Sequence, residues 1–313
     1  MKSAARIRKT DTFVHFNGRA KMKKIVIFFG VLLAMTSVFG QMPETDPEAC
    51  EYARNNDNAK NWLEYIGKFP KGTCLAEAQY SLGLIYQQGN GVPQDSVEAF
   101  KWYRKSAELG NVHAQNNLGR MYFNGESVPQ NSSEAFKWYK KAAEQGSTQS
   151  QYNLGVMYVN GQGISKNFNE AIKWFGKAAE GGFSAAQNEI GIMYYFGEGV
   201  KQDYQTAVKW LKLAAEQGYA PAQFNFGRMT FNGEGIQQNY AEGMKWITKS
   251  AEQGYMKAQI TLGVIYTDGK VVRQNLAEAK KWLKYAADQG SDKAKTILLK
   301  IEAAEKAAGK NKS

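Results

Sequence analysis

Apolar positions in the chain follow helical spacing in short, evenly separated bursts. Ala78, Leu82, Ile85 and Tyr86 fall at offsets 0, 4, 7 and 8, one face of an amphipathic helix over 78–88. Gly89-Asn90-Gly91 then predicts a stop, since glycine takes the left-handed turn that ends a helix. Asp95 is a good N-cap for a second helix, which carries Ala99, Trp102, Ser106 and Ala107 on one face and closes at Gly110. Ala114-Gln115 then restarts the pattern.

The restart recurs every 36 residues, at Ala78, Ala114, Ser150, Ala186, Ala222 and Ala258, each followed by Gln. Six of the seven Trp stand in one column: 102, 138, 174, 210, 246 and 282. Of the 31 Gly, 22 stand in fixed columns, so the glycine excess is positional and does not signal floppy linkers. Gly83 and its five equivalents lie in mid-helix at a cost of about 1 kcal/mol each relative to Ala. That repeated penalty predicts a close approach by the second helix. The second-helix caps Asp95, Asn131, Asn167, Asp203, Asn239 and Asn275 are followed three residues later by Glu in all but the fourth unit, which has Thr206; this predicts capping boxes. One hairpin cannot bury a Trp and several Ala alone, so neighbouring hairpins must share a core.

The pattern A-x-x-x-L-G-x-x-Y-x-x-G-x-G-V, then A-x-x-W-x-x-x-A-A-x-x-G, resembles the Sel1-like repeat, a relative of the tetratricopeptide repeat. In the fourth unit it stands as Ala186, Ile190-Gly191, Tyr194, Gly197, Gly199-Val200, Ala207, Trp210, Ala214-Ala215 and Gly218. The expected fold is all-α: a right-handed α-solenoid of six helix–turn–helix repeats with terminal caps. The repeats are placed at 78–113, 114–149, 150–185, 186–221, 222–257 and 258–293, with capping helices at 41–77 and a capping helix and tail at 294–313. The resemblance implies a scaffold that holds other proteins. Thr230, Gly243, Ser127 and Val271 depart from the pattern and predict looser packing there.

Ahead of the repeats, Lys21-Met22-Lys23-Lys24, the apolar run from Ile25 to Met35 and the small residues up to Gly40 describe a secretory signal peptide. Cleavage is expected after Gly40, with Met22 as a possible true start, and no stable membrane insertion thereafter. The expected location is the periplasm or outside a bacterial cell. This segment also accounts for the charge. Residues 1–40 hold eight Lys or Arg against one Asp, and the rest holds 32 basic against 28 acidic residues, so the net +11 is mostly leader. A mature chain near +4 gives little reason to expect a nucleic-acid partner.

Candidate chemistry is sparse. Cys50 and Cys74 are the only cysteines, 24 residues apart. In an oxidising compartment they are expected to pair and tie the leading cap to the first repeat, worth about 3 kcal/mol; two buried free thiols are the other reading. His113, the only His after the leader, has no partner for a metal, so neither metal nor cofactor is expected. The alternative function is β-lactamase-like or penicillin- or peptidoglycan-binding activity. The serine enzymes of that chemistry use S-x-x-K, S-D-N and K-T-G, none of which occurs here, so the chain is expected not to be an enzyme. On the second helices, Lys105, Lys141, Lys177 and Lys249 stand three residues before acids and predict small helical ion-pair gains.

The binding candidate is the first helix's face opposite its core stripe, which in a solenoid lines the concave side. Offsets 2, 6 and 9 are apolar at twelve of eighteen positions, among them Phe123, Tyr195 and Phe231. Asn117, Asn153 and Asn225 share one offset beside this stripe and predict a ladder for an extended peptide backbone; Arg120 and Arg228 predict carboxylate partners. The alternative is that these side chains only pack between repeats. The expected assembly is a monomer with a protein or peptide partner.

Overall fold

The computed structural model describes residues 41–310. The expected signal peptide, its cleavage point and the possible start at Met22 lie outside the described residues. The described residues hold fifteen α-helices and no strand. Helices α1 (Asp46–Asn55) and α2 (Ala59–Lys68) belong to a leading unit that ends at Cys74 rather than at residue 77. From Leu75 a second unit carries six helical hairpins: α3 (Leu75–Gln88) with α4 (Ser96–Glu108), α5 (Val112–Asn124) with α6 (Ser132–Glu144), and α7 (Thr148–Asn160) with α8 (Phe168–Glu180). The next three are α9 (Ser184–Phe196) with α10 (Tyr204–Glu216), α11 (Ala220–Asn232) with α12 (Tyr240–Glu252), and α13 (Met256–Asp268) with α14 (Leu276–Asp288). Helix α15 (Asp292–Lys310) closes the unit.

In the leading unit a disulfide joins Cys50 to Cys74, with Cα atoms 6.0 Å apart. Both cysteines lie inside that unit. Asp46 accepts from the Tyr65 hydroxyl and from the Thr73 N–H at 2.8 Å. The Tyr65 oxygen in turn accepts the Cys74 N–H at 3.0 Å.

The repeat unit is an α-solenoid whose core lies between neighbours. Ala99, Tyr103 and Ala107 of α4 pack with Ala114, Leu118 and Met121 of α5, and the same partnership recurs down the chain. Gly83 earns its place by contact: a Cβ there would lie 2.5 Å from the Tyr103 ring. The equivalent glycines face Tyr139, Phe175, Leu211, Ile247 and Leu283. The large core residue of the second helix is therefore the one after Trp, not Trp itself. Most of the Trp column is half-buried and packs on the core shared with the preceding repeat, Trp138 on the Tyr103 cluster and Trp246 on the Leu211 cluster.

The second-helix caps form as expected: an Asp or Asn in each repeat accepts the N–H three residues on. The other half of the expected capping box does not. Each cap's own N–H donates to a first-helix carbonyl, Asp95 to Tyr86 at 2.9 Å and Asn131 to Tyr122 at 2.8 Å. This leaves Glu98, Glu134 and Glu170 to pair with Lys101, Lys137 and Lys173. Lys105, Lys141, Lys177 and Lys249 do not pair with the acids ahead of them. They stand over Trp102, Trp138, Trp174 and Trp246 at 4.1 to 4.4 Å, where the ring face attracts the ammonium. Nor is packing looser at Gly243, where a Cβ would lie 2.8 Å from the Gly227 carbonyl: the two helices of repeat five approach closely. Ser127 keeps the left-handed turn of the glycine it replaces, at φ 65°.

Candidate binding surface

The first helices position the predicted side chains, and they do so unevenly. Asn153 accepts from Gln149 one turn back at 3.2 Å, while Asn225 donates across the repeat boundary to Asn188 at 2.9 Å. Asn117 lies against the Tyr103 hydroxyl. Three asparagines with three kinds of partner do not make the uniform ladder expected. Arg120 and Arg228 are also engaged within the chain. Arg120 pairs with Glu126; Arg228 lies 3.6 Å from Glu234 and stacks over Tyr195 at 4.7 Å. Their expected role as open carboxylate receptors is accordingly not supported. Phe123 packs on the repeat-two core. Tyr195 and Phe231 stack on Tyr204 and Tyr240 of their own second helices.

What the structure does bring together is a cleft of about 610 Å³ over the first helices of repeats four to six. It is lined by Asn188, Glu189, Ile192 and Tyr195 of α9, by Asn225 and Arg228 of α11, and by Tyr219, Tyr255 and Lys257. Of the predicted residues, Tyr195, Asn225 and Arg228 meet here; Asn117, Asn153, Arg120, Phe123 and Phe231 do not line it. Glu189 is the residue that sequence reasoning missed. It stands in the column that holds Asn117, Asn153 and Asn225, so the departure was visible as an acid among neutral residues. Burial pushes its carboxyl above the ordinary range, partly offset by the Asn188 amide, which donates to it at 3.1 Å. The tyrosines around it respond. Burial first, and then the Glu189 charge, pushes Tyr152 up to about 12 and raises Tyr219 and Tyr255.

Local helix physics marks the same region. Asn111 and Ser147 cap α5 and α7 with side-chain hydrogen bonds. Phe183, Tyr219 and Tyr255 occupy the same position before α9, α11 and α13 and make none. Replacing a capping side chain costs about 1 kcal/mol. The sequence model of the Sel1 repeat matches residues 76–111, 112–147, 148–183, 184–219, 220–255 and 257–291, more than two thirds of the chain.

The chain belongs to the Sel1 repeat family.

The Sel1 phase begins the first five repeats two residues, and the sixth one residue, earlier than the spacing of Ala78 and Ala114 suggested, in agreement with helix starts at Val112, Thr148 and Ser184. A crystallised Sel1 repeat protein from Oxalobacter formigenes is 33% identical with a TM-score of 0.68, over 76% of this chain and 96% of its own. The protective antigen c5321 of uropathogenic Escherichia coli, which displays the same repeat fold, is 30% identical over 80% of this chain and 66% of its own, with a TM-score of 0.43. No curated protein matches the chain. Sel1 repeat chains are scaffolds, typically for protein–protein interaction, and generally without enzymatic activity.

Proposed function

We propose that this Sel1 repeat chain is an exported bacterial scaffold that binds a protein partner through the concave, first-helix surface of repeats four to six, as a monomer in the periplasm or outside the cell. The observation that carries the binding surface is the cleft over α9 and α11, where a half-covered acid, tyrosines and amides converge on helices whose caps have been given up to rings. Concave apolar walls with a few convergent polar groups are the usual make-up of a binding site. The second-helix surface offers less, since most of its lysines are already occupied by neighbouring acids and Trp rings. Export is supported by the leader pattern before Gln41 and by the paired cysteines, which suit an oxidising compartment.

A photo-crosslinking residue at Ile192 is expected to capture one discrete protein in the native compartment, whereas the same residue at Lys209, exposed on α10, is expected to capture none. Capture from Lys209 alone would move the binding surface to the second helices. N-terminal sequencing of the exported chain is expected to begin at Gln41.

A further inference from the structure

Glu189 is an acid out of place. The first helices of other repeats hold Ser81, Asn117, Asn153, Asn225 and Thr261 at its position. Its only hydrogen-bond donor among the described residues is the Asn188 amide, and no Lys or Arg among them forms an ion pair with it. A carboxylate has about four acceptor sites, so most of this one's capacity faces the cleft. The two basic groups that line the cleft do not change this: Arg228 is held by Glu234 and Tyr195, and Lys257 is exposed and forms no ion pair with Glu189 among the described residues. Tyr219 and Tyr255 line the same cleft as Glu189 and feel its charge.

We infer that this cleft is a socket for an arginine side chain of the partner, with the Glu189 carboxylate receiving the guanidinium and the tyrosines flanking it. A half-buried carboxylate without a cation gains most from a donor that is always charged and weakly hydrated, and guanidinium meets carboxylate through paired N–H bonds. Aromatic faces attract a cation and stack on the planar group. The inference rests on the first-helix surface being the binding surface, and it adds the chemistry of what is bound.

The test uses the full mature chain and two peptides, acetyl-Gly-Gly-Arg-Gly-Gly-amide and the same sequence with citrulline, the neutral isostere of arginine. Binding is read from the Ile192 methyl signal in an NMR titration. The arginine peptide is expected to bind at least tenfold more tightly than the citrulline peptide. Glu189→Gln is expected to abolish that preference while leaving the melting temperature unchanged or raised. Equal binding of the two peptides would overturn the arginine socket and leave the surface intact as a peptide site. Failure of both peptides to shift Ile192, or a preference that survives in Glu189→Gln, would also overturn it. Crosslinking from Ile192 reports separately on the surface.

Discussion

The second helices of this chain all begin in the same way, and the first helices do not. Six second helices start on Asp or Asn that caps the first turn. Among the first helices, α5 and α7 are capped by Asn111 and Ser147, whereas α9, α11 and α13 start on Phe183, Tyr219 and Tyr255 with no capping side chain. The uniform set serves stacking, where every repeat faces the same demand. The divergent set breaks the pattern at the starts of α9, α11 and α13. Forgoing about 1 kcal/mol of capping at three successive first helices is a local rule broken in one place, and two of the residues that break it, Tyr219 and Tyr255, line the cleft that holds Glu189.

Breaking the uniform part should cost most. Phe175 fills the space over Gly155 and is almost fully buried, so Phe175→Ala should lower the unfolding free energy by about 3–5 kcal/mol in a urea titration followed by circular dichroism. A loss near zero would mean the hairpins do not share their interiors. The caps come next: Asn131→Ala and Asn111→Ala should each cost about 1 kcal/mol, and no loss at either would erase the contrast between capped and uncapped starts.

The smallest effect sharpens the comparison within the buried Gln column. Gln115, Gln187, Gln223 and Gln259 each accept from a second Gln, at 145, 217, 253 and 289. Leu109 and Gly181 stand where that donor would be for Gln79 and Gln151, whose Oε1 atoms are buried without a partner among the described residues. Leu109→Gln should therefore stabilise by roughly 0.5–1 kcal/mol in the same titration, with no gain if the orphaned oxygen is already solvated.

The helices, their order and their period were legible because each repeat writes its core face at helical spacing and its stops in glycine. Gly83 even announced the close approach that Tyr103 makes. The choice between Trp102 and Tyr103 as the core residue was not legible. Two large neighbours differ by only one helical step, and the deciding hollow over Gly83 belongs to another helix. Capping boxes were misread for a similar reason: the acceptor of the Asp95 N–H is the Tyr86 carbonyl, which no local motif records. The ladder of Asn117, Asn153 and Asn225 came from a shared column, yet neighbouring side chains give each a different bond. Glu189 was readable as a break in that column. Its significance was not, because Tyr219 and Tyr255 reach it from two other turns of the chain.

The central claim is that Glu189 is held for a ligand and not for the fold, and stability as a function of pH tests it most directly. Burial raises the folded-state pKa of this carboxyl, so the wild-type chain gains stability as pH falls through that raised value towards the unfolded value. Glu189→Gln has no such dependence at this site. The account predicts that the Gln variant is at least as stable as wild type at pH 7 and that any advantage shrinks as pH is lowered. A Gln variant clearly less stable at pH 7 would show that the fold itself needs the charge, and would contradict the account.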